Sequence, residues 1–393
     1  MKIYLIPISL SVIWYGIYLP LRNFENTSGI KDLFAGDFYI GTALSGRDVQ
    51  NQSQELMVPL RSNFNSLSPE NLLKWQSIHP EPDRFNFDRA DRYVEMGEGM
   101  DSHLVGHTLV WHKQTPDWVF QHKDGTGRSR EELSFLMKSH IQMVMRRYKG
   151  RIDIWDVVNE AFTDDGQFRR STWFNVLGED FIKLAFEAAH KIDPQAELYY
   201  NDYNVWKPKK TDGILSFVSR MREEGVEIHG IGMQCHLGLE YPTIGQLEEA
   251  IQKIVDRGFN ISITELDIDV LPNPSGRQGA DIDANFPYEA QYDPYQNGLP
   301  NELKEMLANR YRDIFKLFLK YKDHIDRVTF WGVRDQDSWL NNWPIPGRTA
   351  YPLFFDQDYR LKKYLFDKLL HLKKTYKNGT KIQQAFQGQL SFK

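Results

Sequence analysis

Eight apolar, β-branched segments with amphipathic helical stretches between them run the length of this chain and leave few folds open to it. The segments are Tyr39 to Ser45, Asn63 to Leu67, Leu104 to Trp111, Ile152 to Asn159, Glu197 to Asp202, Gly230 to His236, Ile261 to Leu266 and Arg327 to Val333. Stretches such as Glu131 to Tyr148, Phe181 to Lys191, Gly213 to Glu224, Ile244 to Arg257 and Leu303 to Tyr321 space their apolar residues as a helix with one buried stripe does. Strand and helix in alternation specify parallel strands joined by helical crossovers. Eight such units predict an α/β fold, a closed (β/α)8 barrel of the TIM type. With 393 residues, 41% of them hydrophobic, the chain can fill one barrel with insertions, and two smaller domains stay open on length alone.

The formal net charge of -5 is spread without long runs of one sign. Such a surface offers nothing to a nucleic-acid backbone and favours a neutral or cationic partner only weakly. One cysteine, Cys235, is present, so no intramolecular disulfide can form and the fold stands on packing. Met1-Lys2 followed by the apolar run Ile3 to Leu19 fits the basic region and apolar core of a secretory signal. No small-x-small cleavage site is evident and Trp14, Tyr15 and Tyr18 are bulky, so an uncleaved membrane anchor competes with that reading, as does a buried first helix. The expected organisation is a signal or anchor over 1–22, one folded domain over 23–377 and a short polar tail over 378–393, in an exported protein. The longest irregular stretch, Leu271 to Asn301, follows the seventh strand and is rich in Pro, Gly, Asn and Asp. Loops this long inside a compact domain are usually functional, which makes it a wall of a cleft, with a floppy insertion as the alternative.

Two acidic segments end apolar strands: Asp156-Val157-Val158-Asn159-Glu160 on the fourth and Ile263-Thr264-Glu265-Leu266-Asp267 on the seventh. The carboxyl ends of its strands are where a parallel barrel keeps its chemistry. Either glutamate alone reads as an ion-paired structural residue. Two in equivalent positions are the minimum apparatus for glycoside cleavage, one protonating the leaving oxygen while the other attacks or activates water. A buried glutamate with a raised pKa suits a general acid, whereas a nucleophile must stay ionised and needs donors. His236 and, two positions earlier on the same strand face, Gln234 are candidates to line that pocket.

The third strand carries His107 and Trp111 at an even spacing, and His112 at an odd one. His107 and His112 should therefore face opposite ways, which argues against a metal site shared with His236. No metal or cofactor is expected. Alternation also puts Asp156, Val158 and Glu160 on one face and Asn159 on the other, until the strand ends. Glu70, Asn71 and Lys74 follow the second strand; they read either as a hydroxyl-binding cluster or, from Ser68-Pro69-Glu70, as an ordinary helix cap. Trp331 and Trp339, around the end of the eighth strand, are candidate aromatic walls.

Together these segments resemble glycoside hydrolase family ten, the retaining endo-1,4-β-xylanases, from about Lys31 to Lys374. The resemblance rests on Pro69-Glu70-Asn71-Leu72-Leu73-Lys74-Trp75, Gly106-His107-Thr108-Leu109-Val110-Trp111-His112, Trp155-Asp156-Val157-Val158-Asn159-Glu160, Gly232-Met233-Gln234-Cys235-His236, Ile263-Thr264-Glu265-Leu266-Asp267, and Phe330-Trp331-Gly332-Val333 with Ser338-Trp339. It implies Glu160 as acid/base, Glu265 as nucleophile and Asn159 at the 2-hydroxyl of the reacting sugar. It further implies Gln234 and His236 as supports of the nucleophile, His107, Trp111, Lys74, Asn71 and Glu70 as glycone-side contacts, Trp331 and Trp339 as walls over the cleavage point, and Tyr203 as a leaving-group-side tyrosine. The implied partners are xylan and xylo-oligosaccharides, with no obligate protein partner. Two carboxylates do not name the sugar, so a retaining β-1,4-glucanase or cellulase is the competing enzyme and a non-catalytic sugar-binding barrel the competing non-enzyme.

Overall fold

The computed structural model describes residues 29–274, 280 and 284–390; the apolar run assigned to 1–22 lies outside them. Its strands are β1 (Tyr39–Leu44), β2 (Ser66–Pro69), β3 (His103–Trp111), β4 (Ile154–Asn159), β5 (Glu197–Asp202), β6 (Gly230–Met233), β7 (His236–Gly238), β8 (Asn260–Asp269) and β9 (Ile325–Phe330). All pairings between these strands are parallel, each of β1 to β5 with the next, then β6 and β7 both with β8, β8 with β9 and β9 with β1. The ring therefore closes with eight staves, β6 and β7 being two parts of the sixth. Every residue of β2 and β4 is buried, because one strand face fills the barrel and the other lies under helices.

The helices begin where local chemistry satisfies their first amides. Ser129 and Glu132 form a reciprocal capping box at Arg130–Tyr148, and Thr243 and Gln246 do the same at Ile244–Asp256. At Gly106 on β3 the absence of a side chain is structural, since a Cβ there would stand 2.1 Å from the Trp155 ring of the neighbouring strand.

Several boundaries differ from the sequence reading. The second strand starts three residues later than expected, because Asn63 ends the helix Gln54–Asn63, where its amide donates to the Pro59 carbonyl and accepts from Ile30. Ser68 and Pro69 belong to that strand and cap no helix. The sixth stave is interrupted at Gln234 and Cys235, with Cys235 at a φ of 58°. The last helix, Lys363–Leu390, continues through most of the segment read as a polar tail.

The described part of the Leu271 to Asn301 loop is docked on the segment after β9. Leu271, Leu340 and Ala350 form a small apolar cluster against Tyr295, Trp339 and Trp343. The buried Asp293 carboxylate accepts the Thr349 amide at 2.9 Å, and the Tyr351 hydroxyl donates to the Tyr295 carbonyl at 2.6 Å. Ala280 from this loop is buried against the mouth of the barrel.

Candidate active site

A cavity of about 170 Å³ opens at the carboxyl ends of the strands. Its walls are Glu70, Asn71 and Lys74 after β2, His107 and Trp111 on β3, Asn159 and Glu160 at the end of β4, Gln234 and His236 around the break in the sixth stave, Glu265 on β8, Trp331 and Trp339 after β9, and Ala280. Of the residues singled out from the sequence, Tyr203 alone is not in this wall. Its hydroxyl accepts from Arg169 at 2.7 Å, and the Lys210 ammonium sits 3.6 Å from its ring centroid.

The alternation along the fourth strand gives way at its end, as expected, where Glu160 follows the last strand residue Asn159. Asn159 and Glu160 both face the cavity, because the register with β5 shifts between Asp156 and Val158 and Glu160 has a φ of 58°. A non-glycine residue there costs on the order of 1–3 kcal/mol and persists only where the surroundings hold it. Here the Glu160 amide donates to the Asn201 carbonyl at 2.9 Å and its carbonyl accepts from Arg169 Nε at 3.0 Å.

Glu160 Oε2 accepts the Trp111 indole N–H at 2.9 Å, and Oε1 accepts the Gln234 amide at 3.0 Å and that of Asn159 at 3.3 Å. Burial pushes its carboxyl above the usual range, the Asp202 charge adds to the rise, and the Gln234 and Trp111 donors offset only part of it. Asp202 is itself fully buried, 2.7 Å from the Lys210 ammonium, with the Tyr200 hydroxyl donating to it. Glu160 is thus harder to ionise than a free carboxyl.

Glu265 is just as buried and shifts the other way. Burial would raise it, but the His236 hydrogen bond and the positive potential of His107, His236 and Lys74 outweigh that and hold it below the usual range. His236 donates Nε2–H to Glu265 Oε2 at 3.3 Å and Nδ1–H to Asp267 Oδ2 at 3.0 Å. Burial opposes a charged ring, yet Asp267 and Glu265 push its pKa up to about 10, so it is an imidazolium. Trp339 Nε1 donates to the same Asp267 oxygen at 2.7 Å, which couples an aromatic wall to this charge relay. Asn201 Nδ2 donates to Glu265 Oε1 at 3.0 Å and to Asn159 Oδ1 at 2.9 Å, and Thr264 fixes the Asn201 carbonyl at 2.8 Å.

On the β2 side, Lys74 Nζ donates to Asn71 Oδ1 at 3.0 Å and stands 4.6 Å from the Trp111 ring centroid. Burial pulls its ammonium below the usual range against the opposing pull of Glu265, Glu70 and Glu160. His107 Nδ1–H donates to Asp156 at 2.9 Å, which locks its ring, and Asp156 is 3.6 Å from the buried Arg327. Asn201 and Arg169 were not singled out from the sequence, whereas Asp156 and Asp267 appeared there only as members of the two acidic segments, each on the strand face of its glutamate.

Two buried carboxylates of opposite proton affinity, across an aromatic-walled cavity at the mouth of a parallel barrel, define a carboxylate-pair glycoside hydrolase. Residues 29–370 match the model of Glycosyl hydrolase family 10, and the chain belongs to that family. Among its relatives is endo-1,4-beta-xylanase A of Xylanibacter ruminicola, 42% identical over 338 residues, which are 86% of this chain and 92% of that one. A GH10 endoxylanase retrieved from a sugarcane soil metagenome superposes with a TM-score of 0.85 at 45% identity, covering 88% of this chain and 100% of the other. A structure solved in complex with xylotriose superposes with a TM-score of 0.78 at 35% identity, covering 88% and 99%.

Proposed function

We infer that this chain is a retaining endo-1,4-β-xylanase that hydrolyses internal β-1,4 bonds of xylan and xylo-oligosaccharides by double displacement. The observation that carries the reading is the opposite setting of two equally buried carboxyls in one cavity, in a chain of family 10. The Glu265 carboxylate attacks the anomeric carbon as Glu160 gives its proton to the departing glycosidic oxygen. Forming the ester removes the negative charge of Glu265, one of the charges that raises Glu160, so the Glu160 carboxyl becomes easier to keep ionised. It then takes a proton from water as the hydroxide oxygen displaces Glu265, and the enzyme returns to its starting state.

Asn159 binds the 2-hydroxyl of the reacting sugar, a role supported by the hydrogen bond from Asn201 that orients its side chain. Glu70, Asn71, Lys74, His107 and Trp111 form the glycone side. Gln234 supports both carboxyls, its backbone carbonyl accepting the Glu265 amide at 3.0 Å while its side-chain amide binds Glu160 and Asn159. The Tyr203 hydroxyl accepts from Arg169 and keeps its own proton to donate on the leaving-group side. The apolar run Ile3 to Leu19 supports export, which activity retained wholly in the cytoplasm of a producing cell would overturn.

Discrimination against glucose-based chains follows from sterics, since xylose lacks the exocyclic hydroxymethyl group that would meet Trp331 and Trp339. Initial rates on xylan and carboxymethylcellulose test the reading. A clear preference for xylan is expected, and a preference for cellulose would make the protein a β-1,4-glucanase.

A further inference from the structure

Lys210, in the first turn of the helix Pro208–Glu223, has no exposed side-chain surface and is no part of the cavity wall. Burying an ammonium group is costly, so one that meets no substrate needs a partner that accounts for it. Its Nζ stands 2.7 Å from Asp202 Oδ1, 3.6 Å from Asp164 Oδ1 and 3.6 Å from the Tyr203 ring centroid. Asp164 is 38% exposed and is already engaged by Lys207 and the Asn204 amide. Asp202 is as buried as the lysine, and is the partner that depends on it.

Asp202 reaches Glu160 from two directions. Its Oδ2 accepts the Tyr200 hydroxyl and, at 3.4 Å, the Phe162 amide, while the Tyr200 oxygen accepts the Ala161 amide at 2.9 Å. The two residues that follow Glu160 are thereby tied to this one carboxylate. Its backbone carbonyl accepts the Gln234 backbone amide at 3.1 Å, and the Gln234 side chain binds Glu160. The other charged groups that act on Glu160 are Glu265 on β8, Lys74 after β2 and Arg169, which holds its carbonyl. Tyr203 beside Arg169 is neutral, since burial pushes its hydroxyl up.

We propose that Lys210 is a positioning residue for the acid, keeping the buried Asp202 carboxylate ionised so that its charge and its hydrogen bonds hold Glu160 ready to donate a proton. Burial already raises Asp202 against the pull of Lys210, so without the ammonium the neutral acid is favoured there. Loss of the Asp202 charge then makes Glu160 easier to ionise. The proposal rests on the acid role given to Glu160 above and adds the group that maintains it.

The test measures kcat/KM against pH on linear xylohexaose for the unmodified protein, Lys210→Met, Lys210→Arg, Asp202→Asn and the Lys210→Met/Asp202→Asn double variant, which leaves no lone buried charge to prevent folding. The alkaline limb, which follows Glu160, should move to lower pH in Lys210→Met and in Asp202→Asn. Combining the two should move it no further than the larger single effect, because both remove the same charge. Lys210→Arg, which keeps the cation, should return the limb towards its original place. On the alkaline side, Lys210→Met should lose about tenfold on xylohexaose and much less on an aryl xyloside with a good leaving group, a selectivity that a merely structural lysine does not produce. An alkaline limb that stays in place or moves to higher pH in the double variant or in folded Lys210→Met, or an equal loss on both substrates, would overturn the proposal. Failure of the unmodified protein to cleave xylohexaose would overturn the xylanase reading, and the proposal with it.

Discussion

Glu160 and Glu265 are the same residue type at the mouth of the same barrel, each 5% exposed, and their proton affinities move in opposite directions. Burial raises both to begin with. What separates them is the sign of the nearest fixed charge. Behind Glu160 stands Asp202, and the groups that touch its oxygens, Trp111, Gln234 and Asn159, are neutral. Against Glu265 stands the His236 imidazolium, itself held charged by Asp267, with Lys74 and His107 adding to the field. The lesson is that desolvation makes a carboxyl responsive without choosing its role; the surrounding charges choose.

The sharpest way to break this contrast is to remove one carboxyl at a time. Glu265→Ala should lower kcat on xylan by about 10⁴-fold or more, because no nucleophile remains. Added azide should restore turnover and give a product of inverted anomeric configuration, measured by NMR. Wild-type activity in that variant would reverse the two assignments. Glu160→Ala should cost about 10²–10⁴-fold on xylan, the usual worth of a positioned proton donor. It should cost far less in the first step on aryl xylosides with good leaving groups, which need little acid; an equal loss on both substrates would remove Glu160 from the acid role.

A smaller effect sharpens the comparison without touching either carboxyl. The acid limb of kcat/KM follows Glu265, which must be ionised, and the alkaline limb follows Glu160, which must be protonated. His236→Asn deletes a charge that lowers Glu265, so the acid limb should move to higher pH while the alkaline limb moves less. The same variant reports on stability. The His236 pKa is about 10 in the folded protein against about 6.5 unfolded, so its stabilising contribution is complete below about pH 6.5 and fades as pH rises through about 10. The unmodified protein should therefore lose more Tm between neutral and strongly alkaline pH than His236→Asn does. Parallel Tm curves would show that His236 is not charged in the folded state.

Much of this architecture was legible in the chain because its cause is local. The period of the apolar residues separates strand from helix, so the helices Arg130–Tyr148 and Ile244–Asp256 fell within one residue of their expected ends, each with its capping box. Where a neighbour decides, the reading slipped. Asn63 could pass for strand until its contact with Ile30 is known, and the break at Cys235 leaves no mark in a run of apolar residues. The wall of the site was legible in the same way, since most of its side chains sit at strand ends. Asn201 was not, because its importance lies in joining Asn159 to Glu265 across two strands. Arg169 was not, because it comes from a loop and acts on a backbone carbonyl and a tyrosine hydroxyl.

By itself, then, the sequence determined the eightfold alternation, the place of Glu160 and Glu265 at strand ends, and a set of motifs that could belong to few chains. Those follow from periodicity and covalent order, which need no partner to be expressed. Only the tertiary structure decided which glutamate is the harder to ionise, that Asn159 turns into the cavity beside Glu160, and that the Tyr203 hydroxyl accepts from Arg169. Each of these depends on what distant segments bring within a few ångströms, and in a buried site charges and hydrogen bonds at that range govern the chemistry.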